Sequence, residues 1–336
     1  MRFRFLSILC SISFVLLIQS CTSPNKAPDI SHNKLTIPIY RFDQEFFSNS
    51  TPSPTDIALL KQKHPLFFTL YLEKITAISS ASDTGSQTYI QHFINDPDMK
   101  SIYQETQNTF TSFDNYAEKI NKGFRYYQHY FPNNYIPYVI TYFFGFNYSV
   151  VATDSAVCIA LDQYLGKDYK YYAHLPDYIR ARKDKSYLIA DLMKGWAITE
   201  FERTEPRTDL LDEIIFQGKI IYLLDHILPF EHDTILMGYS ASQLEFCKKN
   251  EWNIWSYFIE NKLLYSQNIT DISKYTGEAP FSAGMPKEAP GRTGIWLGWQ
   301  IIRAYAKKNP KLTLPQIMNE HDYKKIMNKS NYKPKR

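Results

Sequence analysis

Glycine is scarce in this chain, with 12 among 336 residues, and no glycine-rich signature of nucleotide chemistry occurs. There is no phosphate-binding loop, no dinucleotide fingerprint and no GxSxG elbow for a nucleophilic serine. HExxH is missing too. The eight histidines, at 32, 64, 92, 129, 174, 226, 232 and 321, never sit three or four apart, the spacing that puts two imidazoles on one helix face. No cysteine spacing suits a metal, so neither metal nor cofactor is expected. An excess of one charge is also absent: the 38 basic residues, less Arg2 and Arg4 of the leader described next, stand against 34 acidic ones and leave +2. That balance argues against a nucleic-acid partner, which selects a strongly basic face.

No run is long enough to span a bilayer comfortably. The longest, residues 5–18, is a mainly apolar stretch of 14 residues behind Arg2 and Arg4, the pattern of an export signal core. Leu17, Ile18, Gln19, Ser20 and Cys21 resemble a bacterial lipobox, with an aliphatic residue three before the cysteine and a small one directly before it; Gln19 is looser than usual. Residues 1–20 are therefore expected to be a signal peptide and Cys21 the first mature residue, its thiol carrying lipid. Each buried methylene contributes about 0.8 kcal/mol, so a multi-chain anchor holds firmly. Residues 21–34 have little to bury and are expected to be a flexible tether. No acidic cluster follows Cys21, which favours a periplasm-facing position; the sequence does not state which membrane carries the anchor, and the outer membrane is expected rather than the inner.

The roughly 315 residues that remain are enough for a real core. They are rich in aromatics, with 26 tyrosines and 22 phenylalanines in the whole chain. Residues 35–42 predict a short strand and 136–144 and 149–160 two more, in a hairpin or side by side, with a turn at Gly145, Phe146 and Asn147. Apolar spacing of three and four predicts helices elsewhere: 55–63 capped by Thr55 or Asp56, 66–75, 88–93, 98–110, 114–131, one around 188–197, one ended by Pro229, 240–250, 254–261 and 295–308. The expected architecture is α+β, one mostly helical domain over 35–320 around a small sheet at about 136–162, with a frayed basic tail at 321–336. Cys158 and Cys247 are the two thiols left after Cys21, and they could pair or stay free.

Chemistry-bearing residues are few. Asp225, His226, Glu231 and His232 flank Pro229 and suit a solvated turn better than a metal site. Asp212 with Glu213, and Glu200 with Glu202, point different ways on a helix, so paired acid and base work is unsupported. Pro290, Gly291, Arg292, Thr293 and Gly294 open the last long helix, where Thr293 can cap and Arg292 can hold a carboxylate. That carboxylate is either a partner's or the chain's own.

Four stretches carry a family resemblance: LDQYLG at 161–166, YIRARKDKSYLIADLMKGW at 178–196, DEIIFQGK at 212–219 and APGRTGIWLGWQIIRAYAKKNP at 289–310. Together they resemble the GldB gliding-motility lipoproteins of the Bacteroidetes group. The resemblance implies a lipid-anchored envelope protein connected with gliding or its associated secretion machinery. A fainter similarity is to zincin-type zinc peptidases, whose HExxH helix would fall at 188–197, which has no histidine, and whose glutamate ligand would fall at Gln217. The implied fold is then zincin-like without the metal site. The expectation is a non-catalytic protein that binds another envelope component through a groove, for which Asp191, Lys194, Gln217, Arg292 and Thr293 are the candidates. The alternative is a divergent metallopeptidase or a cell-wall hydrolase.

Overall fold

The computed structural model describes residues 27–80, 85–144, 149–202 and 206–336. The signal peptide, Cys21 and the turn at 145–147 lie outside the described residues. An N-terminal layer begins with β1 (Ile39–Arg41) and continues through α1 (Phe42–Phe47), α2 (Pro54–Lys63), α3 (Pro65–Leu70) with a π-helical turn (Tyr71–Ile75), α4 (Ser86–Asn95), α5 (Pro97–Thr109) and α6 (Asp114–Tyr130). Strands β2 (Tyr138–Tyr142), β3 (Val150–Ala152) and β4 (Ala156–Ala160) follow. The C-terminal part is helical: α7 (Asp177–Arg180), α8 (Leu188–Glu200), α9 (Leu210–Ile227), α10 (Asp233–Met237), α11 (Ala241–Lys249), α12 (Glu251–Glu260), α13 (Ile269–Thr276), α14 (Thr293–Lys308), α15 (Leu314–Met318) and α16 (Tyr323–Ser330). The α+β reading is right at this level.

The sheet has the order β1-β2-β4-β3, with β2 parallel to both β1 and β4, and β3 antiparallel to β4. Two expectations are corrected here. β1 brings residues 39–41 into a sheet expected only at 136–162, and 149–160 is a tight hairpin, not one strand. Thr153 closes that hairpin by donating its N–H to the Ala156 carbonyl at 2.8 Å. The hairpin was hidden because β4 is buried on both faces, which makes a central strand a continuous apolar run. Alternation along β2 and β4 feeds two cores: Val139, Val157 and Ile159 enter the C-terminal one, and Ile140, Tyr142, Cys158 and Ala160 the N-terminal one.

The N-terminal core is built of aromatic rings. Phe42, Phe46, Phe67 and Tyr71 meet at centroid distances of 5.0–5.9 Å. The cap of α2 is Ser53, in a reciprocal box with Asp56, rather than Thr55 or Asp56. Where β1 turns into α1, Asp43 is 1% exposed and fully met by donors. Arg41 grips it in two-point contact at 3.0 and 2.7 Å, Gln107 donates at 2.9 Å, and the Thr141 hydroxyl donates as well.

The C-terminal core is aliphatic and centres on α9 and α14. Each Leu or Ile side chain that α9 buries contributes about 1.5–3 kcal/mol. These two helices touch backbone to backbone: a Cβ on Gly218 would fall 2.2 Å from the Gly298 carbonyl carbon, and one on Gly298 only 1.7 Å from the Ile214 oxygen. Only glycine fits at that crossing.

Both ends of the fold differ from expectation. Within the expected tether, Ala27 and Ile30 pack against the core, and Asn33 donates to Gln128 at 2.9 Å. The expected tail is folded over most of its length. α16 buries Tyr323, Ile326 and Ser330, and beyond it the Tyr332 hydroxyl donates to Glu251 at 2.7 Å. Cys158 and Cys247 are free and buried in different cores, which pushes both thiols up, Cys247 to about 12.

Candidate functional site

Helix α8 has one wholly apolar face. Leu188, Ile189, Leu192, Met193, Trp196 and Ala197 go into the C-terminal core, while Asp191, Lys194, Gly195 and Ile198, spaced three, four and seven apart, share the opposite side. That side lines a cleft of about 550 Å³, whose other walls include Ser149 and Val150 of the β3 end, Gln163 and Tyr164, and Arg182 and Lys183. α8 approaches β3 closely because residue 195 is glycine; a Cβ there would fall 2.4 Å from a Val150 methyl.

Charges in the cleft are arranged around Arg182. One guanidinium nitrogen meets Asp191 at 2.9 Å and another meets Glu278 at 2.6 Å. Asp191 also accepts from the Tyr164 hydroxyl at 3.0 Å. The second oxygen of Glu278 forms an ion pair with Arg292, at 3.4 Å. Burial pushes the Glu278 carboxyl up, but Arg292 and Arg182 outweigh it and hold the group below the usual range. Burial lowers Arg182 while Asp191 and Glu278 raise it, with a net rise. Lys194 is different: burial and the neighbouring Arg292 and Arg182 push its ammonium down to about 8.

Of the five groove candidates, Asp191 and Lys194 line the cleft. Arg292 stands behind its Glu278 wall, 5% exposed, in the left-handed region at φ 61°. Its guanidinium pairs with Glu278, donates to the Gly238 carbonyl at 3.1 Å and lies over the Tyr239 ring. The carboxylate it holds is thus the chain's own. Thr293 does not cap: Arg292 occupies the N-cap position without a side-chain cap, and the Thr293 hydroxyl bonds Ser282 at 2.7 Å to close the 277–292 loop. Gln217 is outside the cleft. Its amide donates to Glu213 on its own helix at 3.0 Å, next to the glycine that lets α14 cross.

The Pro229 cluster is absorbed structurally. Arg303 holds Asp225 at 2.9 Å, Lys119 holds Glu231 at 2.9 Å, and the His232 ring nitrogen accepts the Thr234 N–H to start α10. Among the described residues no group of three or more His, Cys, Asp or Glu is placed to hold a metal ion. No described helix is long and apolar enough to cross a membrane.

Gln163, Tyr164, Arg182, Lys183 and Glu278 were missed from sequence, yet four of them lie in the LDQYLG and YIRARKDKSYLIADLMKGW stretches. The signal was a local density of polar residues beside apolar helix starts. Linking it to Glu278, almost 100 residues on, needed the fold.

Fold and site together define a mostly helical α+β protein with a polar, ion-paired cleft beside the edge of a small mixed sheet. The gliding motility protein GldB family matches residues 23–334, nearly the whole chain, and the chain belongs to that family. No curated protein and no solved structure matches it significantly. The resemblance on the four stretches is therefore correct at family level.

Proposed function

We propose that this protein is a lipid-anchored component of the cell envelope, held through Cys21 on the periplasmic side of the outer membrane, and that it binds another envelope protein through the α8 cleft without catalysis. The family supports a lipoprotein connected with gliding motility. The observation that carries the non-catalytic part is the locking of both cleft carboxylates. Asp191 is held by Arg182 and Tyr164, and Glu278 by Arg182 and Arg292, so neither is left free as a general acid or base. On this reading residues 35–320 form a single binding domain, with α8 and α9 as the scaffold of its cleft.

Recovery of the tagged protein from native membranes, beside a control lipoprotein with the same signal, tests the reading. An envelope protein enriched over the control is expected. No enrichment, or stoichiometric zinc in the purified protein together with peptide or cell-wall hydrolysis, would overturn it. The anchor is tested separately: Cys21→Ser should abolish fatty-acid labelling and membrane partitioning, and retention of both would contradict lipidation.

A further inference from the structure

The cleft holds more donors than its own acceptors use. Among the described residues four cations, Arg182, Lys183, Lys194 and Arg292, surround it, against Asp191 and Glu278 within it and Asp162 buried next to Lys183. One positive charge is left over. It falls on Lys194, which has no hydrogen bond and no ion pair to any described residue, while both arginines are engaged.

A second, independent observation points the same way. Gln163 is 2% exposed and lines the cleft, and its Nε2 has no hydrogen-bond partner. The amide orientation is fixed, because the Lys183 ammonium can only donate and so must meet Oε1. That leaves two buried N–H donors unmet, a costly arrangement that a ligand oxygen would relieve. The Arg182 Nε, on the same wall, is likewise unmet.

We infer that Lys194 Nζ and Gln163 Nε2 form a receptor for a single carboxylate of the bound polypeptide, either its C-terminus or an Asp or Glu side chain. One unbalanced positive charge matches a monoanion. A dianionic phosphate would leave one negative charge unbalanced beside Asp191. The ammonium offers three donors and the amide two, enough to meet both oxygens of a carboxylate. Because the lysine is partly buried, pairing it there recovers the charge interaction that burial costs it. This rests on the cleft being the binding site proposed above.

Three blocked tripeptides titrated into the detergent-solubilised full chain test it: acetyl-Ala-Ala-Ala with a free carboxylate, the same peptide as its amide, and acetyl-Ala-Glu-Ala amide. The readout is the side-chain NMR signal of Gln163 and the dissociation constant. One of the two carboxylate peptides should shift that signal and bind at least about tenfold more tightly than the neutral amide. Whichever does so identifies the terminal or side-chain source. Lys194→Met should remove that advantage in a folded protein whose melting temperature is no lower than that of the native chain; Lys194→Gln is the second variant if the first does not fold. Equal binding of all three peptides, or an unchanged advantage in the folded lysine variant, would overturn the inference. If that happens while the envelope protein is still recovered from membranes, the receptor falls and the binding reading stands.

Discussion

Two buried polar clusters flank the sheet, and they are built differently. At the β1–α1 junction one carboxylate, Asp43, is surrounded by Arg41, Gln107 and Thr141, and both of its oxygens are met by donors. Around α8, two carboxylates are shared among arginines, and a lysine and a buried amide remain unmet beside an open cleft. A saturated network fixes the chain path and has nothing to offer a ligand. An unsaturated one forgoes some stability and retains donors for something else.

The contrast can be broken most strongly at the saturated site. Asp43→Ala should leave Arg41, itself mostly covered, without its buried partner, lowering unfolding free energy by about 4 kcal/mol in urea melts with cleft binding unchanged in the folded fraction. The helix crossing sets the next scale. In Gly298→Ala the new methyl overlaps the Ile214 carbonyl, so α9 and α14 must separate, at about 3 kcal/mol. Arg292→Ala should cost about 2 kcal/mol, since Glu278 keeps Arg182 but the Gly238 carbonyl loses its donor. A change below about 0.5 kcal/mol together with lost partner binding would move Arg292 from structure to recognition.

Lys194→Met should be the one change of these that does not destabilise, and its main effect should be on binding. Its pH dependence sharpens the point. Lys194 faces Arg182, Arg292, Asp191 and Glu278, with Lys183 and Tyr164 on the same cleft walls. Its folded value of about 8 lies below the ordinary 10.5. Below pH 8 the ammonium is charged in both folded and unfolded chains, and the full burial penalty is present. Between 8 and 10.5 the unfolded chain binds more protons, so stability rises with pH. Lys194→Met should therefore stabilise slightly at pH 7 and lose that advantage by pH 10, and carboxylate binding by the native chain should weaken above pH 8. Identical pH profiles for the two proteins would contradict the assignment.

Helix periodicity made the long apolar elements legible from sequence. α8, α9 and α14 stand close to where leucine and isoleucine spacing put them, because one-sided burial imprints itself on a 3.6-residue repeat. Where burial is two-sided the imprint vanishes, and so the hairpin of β3 and β4 looked like one strand. The C-terminal helix was hidden in another way. Lys324, Lys325 and Lys329 dominate its composition, although Tyr323 and Ile326, three apart, form a buried stripe. In the cleft, Asp191 and Lys194 were findable because one helix carries both. Gln217 misled, since a glutamine–glycine pair that suggested a lost ligand serves a helix crossing. The Arg182 hub was out of reach, as its partners lie nine and 96 residues away in sequence.

On the proposed reading the α8 cleft is where an envelope partner docks, and Lys194 secures it. Photo-crosslinking in native membranes from a probe at Ile198, on the cleft wall, tests this most directly, with a probe at exposed Leu66 in the N-terminal layer as the control. One envelope protein captured from position 198, and lost when Lys194→Met is added, is the predicted result. Capture of the same protein equally well from position 66, or undiminished by the lysine change, would contradict it.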